Sequence, residues 1–94
     1  MGGDWKELFN ACTEGDLALV QYHVETGIDI NYQHPEFLTT PLIESIRCGN
    51  TEIAKFLLEQ GADPHAKEIW GKHTPFSMAK LMKNKEIVAL LTKL

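Results

Sequence analysis

"TTPLIESIRCGNTEIAKFLLEQGADPHAK", residues 39–67, carries two helices together with the signals that start and stop them. Thr40 is placed as a helix N-cap, its side-chain oxygen accepting from backbone N–H groups that have no partner in a first turn. Pro41 follows at the first helical position, where its missing N–H costs nothing. The spacing predicts a short helix over 42–48, closed by Gly49, a residue suited to the left-handed conformation that ends helices. Asn50 then caps a second helix, whose apolar residues Ile53, Ala54, Leu57 and Leu58 fall at helical spacing. Gly61 ends that helix, and an extended excursion leads from Asp63 to Thr74.

The same unit recurs on both sides at a shift of 34 residues. Leu8, Leu42 and Phe76 fall in one column, Ala11, Ser45 and Ala79 in another, and Gly15 pairs with Gly49. Asp16, Asn50 and Asn84 form a capping column, followed by Leu19, Ile53 and Ile87. Thr40-Pro41 returns as Thr74-Pro75, which predicts a further first helix over 76–82; the first copy lacks Thr-Pro, and its matching helix is expected near 6–13. No unit of this size buries its apolar face alone, so the copies must stack to form a core.

These residues resemble the ankyrin repeat family: a Thr-Pro-Leu start, a central Gly-Asn turn and a Leu-Leu-x-x-Gly-Ala-Asp ending. "LFNACTEGDLALVQYHVETGIDINYQ" is similar to a degenerate first copy and "TPFSMAKLMKNKEIVALL" to a truncated last one. The resemblance implies an all-α solenoid of helix-turn-helix units joined by extended, β-hairpin-like fingers. It implies one domain over 1–94, with copies at about 5–37, 38–71 and 72–94, the last a truncated C-terminal cap. Three departures stand out. The family's histidine after Thr-Pro-Leu is replaced by Ile43 and Ser77, and both connections, Asp29 to Thr40 and Asp63 to Thr74, are one residue longer than the family norm. The first connection also lacks the glycine usual two residues before the threonine.

The bulk properties exclude several function classes. A net charge of −4, with lysines and arginines spread along the chain, argues against a nucleic-acid or anionic-membrane binder. No apolar run approaches the ~20 residues that a membrane span needs. Cys12 and Cys48 are too few for a disulfide framework, so a reducing, cytoplasmic setting is expected.

Motifs for catalysis are missing. There is no Gly-rich phosphate loop, no G-x-S-x-G and no H-E-x-x-H, so neither an enzyme nor a cofactor site is expected. His34, His65, His73 and Cys48 could be imagined around a metal, but nothing in their spacing requires one, and no metal site is expected. Asn31, matched by His65 one copy later, is expected to hydrogen-bond the loop backbone.

The family resemblance implies a non-catalytic adaptor or scaffold that binds another protein through finger tips and the exposed face of the first helices. Transferred by position, the tips supply Trp5, Glu36, Phe37, Thr39, Trp70 and His73. The first-helix ends supply Thr13, Glu14, Arg47, Cys48, Leu81 and Met82. Trp70 is the prime candidate anchor, because a tryptophan inside the turn "KEIWGKHTPF" (67–76) sits where chains normally run over the surface. The competing reading for Trp5 is an N-terminal cap packed under the first copy. The partner is an unidentified protein, with no nucleic acid and no membrane. The chain is expected to be monomeric. The alternative is a structural role in self-association or capping through the flank around Leu90, Leu91 and Leu94.

Overall fold

A computed structural model describes residues 5–33, 38–68 and 73–94. They form six α-helices: α1 (Trp5–Glu14), α2 (Leu17–Glu25), α3 (Pro41–Arg47), α4 (Thr51–Glu59), α5 (Pro75–Leu81) and α6 (Lys85–Thr92). Each consecutive pair packs as a hairpin. The first members form one layer, α1 against α3 against α5, and the second members form the other, α2 against α4 against α6. Helices α3 and α5 start one residue earlier than their spacing predicts, since each proline is itself the first helical residue. No strand occurs among the described residues. The second finger is closed by a hairpin-like bond in which Glu68 N donates to His73 O at 2.9 Å.

Capping follows the sequence at most positions. Thr40 Oγ1 accepts from Ile43 N at 3.3 Å. Thr74 Oγ1 accepts from Ser77 N at 3.1 Å, and Ser77 Oγ accepts in return from Thr74 N at 2.9 Å. Serine in the family's histidine position therefore completes a capping box. In the next column, Asp16 and Asn84 accept from Leu19 N and Ile87 N, each at 3.1 Å. Asn50 stands at the N-cap of α4, but its side chain makes no capping bond there. Its Nδ2 donates instead to the carbonyls of Cys12 (2.6 Å) and Thr13 (3.2 Å), filling acceptors left free at the end of α1.

Left-handed backbone appears where the chain must turn most sharply. Gly15 and Gly49 take φ of 84° and 75°, and Lys83 takes 58° at the matching place in the third copy. Leu38, two residues before Thr40, has φ 57°. The turn normally made by glycine is thus present, made by leucine, at the steric cost of a Cβ in that conformation.

The core runs continuously between the layers. Leu8, Leu42, Ile43, Ile46, Ile53, Leu57 and Ile87 are fully buried, each adding about 1.5–3 kcal/mol by leaving water. Ala11, Ser45 and Ala79 line the inner seams, where small side chains let α1, α3 and α5 approach, and Ser45 Oγ donates to Pro41 O at 2.7 Å. His23 occupies the column of Leu57 and Leu91 and is buried with them. Among the described residues, no helix is long and apolar enough to cross a membrane.

Candidate protein-interaction surface

The inner helices end in a row: Thr13 and Glu14 on α1, Arg47 and Cys48 on α3, Leu81 and Met82 on α5. The repeat sets this row, because each inner helix stops at the same left-handed residue. Between α1 and α3 lies a groove lined by Phe9, Asn10, Thr13, Glu44 and Arg47.

The middle of the row is tied together electrostatically. Arg47 Nη1 donates to Glu44 Oε1 at 2.5 Å, and its Nη2 donates to Glu68 of the second finger. Thr13 Oγ1 donates to Glu44 Oε2 at 3.1 Å, so the network links α1, α3 and the finger. Burial works against the Arg47 charge, but hydrogen bonds and attraction from Glu68 and Glu44 outweigh it and raise its pKa. Arg47 is thus engaged within the fold and is not an unpaired cation awaiting a partner.

Cys48 is exposed, and its thiol donates to Glu44 Oε2 at 3.4 Å. Burial, that hydrogen bond and the Glu44 charge push its pKa up, with Arg47 opposing them. Cys12 lies beneath, buried and free. Its thiol rises from 9.0 to about 12, first by burial; a bond with Ser45 lowers it, and the charges of nearby Glu44 and Cys48 raise it further.

Other expected site residues fall out differently. Thr39 is 0% exposed and offers no surface, because the left-handed turn at Leu38 folds it under the start of α3. Trp5 is the first residue of α1 rather than a finger tip, and its ring lies 5.4 Å from that of Tyr32 in the first finger. His73 is half-buried, with Nδ1 3.1 Å from Ser77 Oγ. Leu81 and Met82 are 60% and 45% exposed. Glu36, Phe37 and Trp70 lie outside the described residues. On the C-terminal flank, Leu91 is buried, Leu90 half-buried and Leu94 exposed.

Sequence reasoning missed Glu44 and Glu68. Glu44 is readable in hindsight, three residues before Arg47 on one helix face, where opposite charges meet. Glu68 carries no local signal, since its burial depends on the finger bending back over α3. Asn31 does bond loop backbone, though that of the next copy: its Oδ1 accepts from Asp63 N at 2.7 Å.

Residues 8–58 match the family model described as ankyrin repeats (many copies). The mouse protein named 2-5A-dependent ribonuclease is 37% identical over 76 residues, covering 81% of this chain and 10% of that protein. A rat ankyrin repeat and SAM domain-containing protein 6 is 38% identical over 86 residues, covering 89% of this chain and 10% of its own length. Serine/threonine-protein kinase 12 of Arabidopsis thaliana is 29% identical over 84 residues, covering 89% of this chain and 18% of the kinase. The chain thus spans about a tenth of the length of the first two of these relatives. Its matched residues, paired helices and capping columns make it a member of the ankyrin repeat family.

Proposed function

We propose that the chain is a non-catalytic adaptor or scaffold that binds another protein along the row of inner-helix ends. Ankyrin repeats generally mediate protein–protein interaction, and the relatives carry them beside unrelated activities. The observation that carries the reading is the exposure of Leu81 and Met82 where the row leaves α5, next to the polar ends of α1 and α3. An apolar anchor flanked by polar groups suits partner recognition. Thr13, Glu14, Cys48 and His73 complete the described part of the proposed surface; Phe37 and Trp70, outside the described residues, are proposed as further anchors by their place in the repeat sequence. A cytoplasmic setting fits the two free cysteines.

Capture from native lysate tests this with Leu81→Ser/Met82→Ser against Tyr22→Ser, since Tyr22 is equally exposed but lies on α2 in the other layer. The partner should be lost with the α5 pair and kept with Tyr22→Ser. Equal capture by both variants would overturn the assignment of the face.

A further inference from the structure

Charge is unevenly distributed along the stack. Residues 5–33 hold one lysine (Lys6) against five acids, Glu7, Glu14, Asp16, Glu25 and Asp29. Residues 73–94 hold four lysines, Lys80, Lys83, Lys85 and Lys93, against Glu86 alone. None of these four lysines makes an ion pair among the described residues, whereas Lys55 in the middle copy bonds Glu86 at 2.8 Å.

The contacts that join one copy to the next show which residues of the two ends would meet. Cys48 is near enough to Cys12 across the first seam for its charge to raise the Cys12 pKa. Asn50 Oδ1 stands 3.1 Å from the place of a Cβ on Gly15, and across the second seam Asn84 Nδ2 donates to Thr51 Oγ1 at 2.9 Å. Carried forward by the 34-residue repeat, the same three relations pair the α5–α6 end with the α1–α2 end of another molecule. The Cys12–Cys48 relation becomes Lys80 with Glu14. The Gly15–Asn50 relation becomes Lys83 with Asp16, and the Thr51–Asn84 relation becomes Lys85 with Asp16. Every one of these pairs is a lysine against an acid.

We propose that a second copy of this chain docks head to tail on the first, in the register that joins copies within one molecule, with Lys80 facing Glu14 and Lys83 and Lys85 facing Asp16. Exposed Leu81 meets Asn10 in this arrangement, as Thr13 meets Glu44 within the chain. One relation opposes the docking. Asp16 takes the place from which Asn50 donates to the carbonyls of Cys12 and Thr13, and a carboxylate there faces those of Lys80 and Leu81. Two ammonium groups stand next to it and offset this repulsion. Such an interface is heterologous, so growth is open-ended rather than stopping at a dimer. The proposal goes beyond partner binding, because it joins the two ends of the stack; Glu14 and Leu81 belong to both surfaces, while Lys83, Lys85 and Asp16 belong to the docking alone.

Sedimentation of the whole protein over a concentration series tests it at ~0.01 M and ~1 M salt, where the screening length falls from about 30 Å to about 3 Å. At low salt the mean mass should climb past the dimer with concentration, and at high salt it should return to the monomer. Lys80→Glu and Glu14→Lys change exposed residues and should each weaken association at least tenfold. Mixed in equal amounts, they should restore it, because the two reversed charges then face each other as an acid and a lysine across the seam. Lys83→Glu/Lys85→Glu provides an independent loss of association, and thermal melts check that each variant folds. A monomer at all concentrations in low salt, a closed dimer, or a mixture that fails to restore growth would overturn the proposal.

Discussion

The guanidinium of Arg47 on α3 bonds the carboxylate of Glu68 twenty-one residues later, and that carboxylate is only 5% exposed while the arginine is 38% exposed. The unequal burial makes the two partners unequal in cost. Arg47→Met leaves a buried carboxylate without a partner among the described residues and should destabilise by about 2–4 kcal/mol. Glu68→Leu leaves Arg47 bonded to Glu44 and partly in water, and should cost about 1 kcal/mol or less. Urea unfolding of both variants measures the asymmetry. Equal losses would mean that the finger holds its place without this pair.

Lys83 ends the first helix of the third copy at φ 58°, where the earlier copies use Gly15 and Gly49. A side chain in that conformation costs about 1–2 kcal/mol, against which glycine loses about 0.5–1 kcal/mol of extra chain entropy. Lys83 is exposed, so no packing is lost on substitution. Lys83→Gly should therefore stabilise by about 0.5–1 kcal/mol. A higher urea midpoint at unchanged slope is the expected result.

His23 is 1% exposed on α2, in the column that Leu57 and Leu91 fill in the other copies. Its Nε2 lies 2.7 Å from Glu7 Oε1, but its Nδ1 has no hydrogen-bond partner among the described residues. Glu7 is exposed and can return to water, while a buried nitrogen without a partner costs about 1–3 kcal/mol. His23→Leu should raise stability by about 1–2 kcal/mol, and His23→Ala should lower it by leaving a cavity. A loss with leucine would show that the Glu7 bond outweighs the stranded nitrogen.

The parts of the fold legible in the sequence are those fixed by local chemistry. Thr40-Pro41 and Thr74-Pro75 start helices, and Gly15 and Gly49 stop them, through groups within a few residues of one another. What escaped depends on which copy faces which. Asn50 reads as the cap of its own helix, yet its amide reaches carbonyls 37 and 38 residues earlier, at the end of the neighbouring α1. Glu68 reads as a solvated charge near a turn until the finger is seen to fold onto Arg47. Thr39 reads as a tip residue because nothing in the sequence marks Leu38 as left-handed. For the proposed interaction surface, the repeat spacing marks where the inner helices end, but not which of those residues the fold already engages.

Cys12 offers a test of the core by pH. Its folded pKa of about 12 lies above the ordinary 9.0, first because burial penalises the thiolate. A raised folded pKa means that the folded state holds its proton more tightly than the unfolded chain. The contribution is complete below about pH 9 and is lost as pH rises from there toward about 12, since only the unfolded thiol can then ionise freely. The informative quantity is the difference between wild type and Cys12→Ala, which isolates this thiol from every other effect of alkali. The variant starts lower, having lost a buried side chain, but its stability should fall less steeply through the alkaline range. Thiol reagents should agree: Cys48 is exposed and should react in the native protein, while Cys12 should react only at the rate of unfolding. Parallel alkaline limbs for the two proteins, or rapid labelling of Cys12 under native conditions, would mean that the seam between α1 and α3 opens to water.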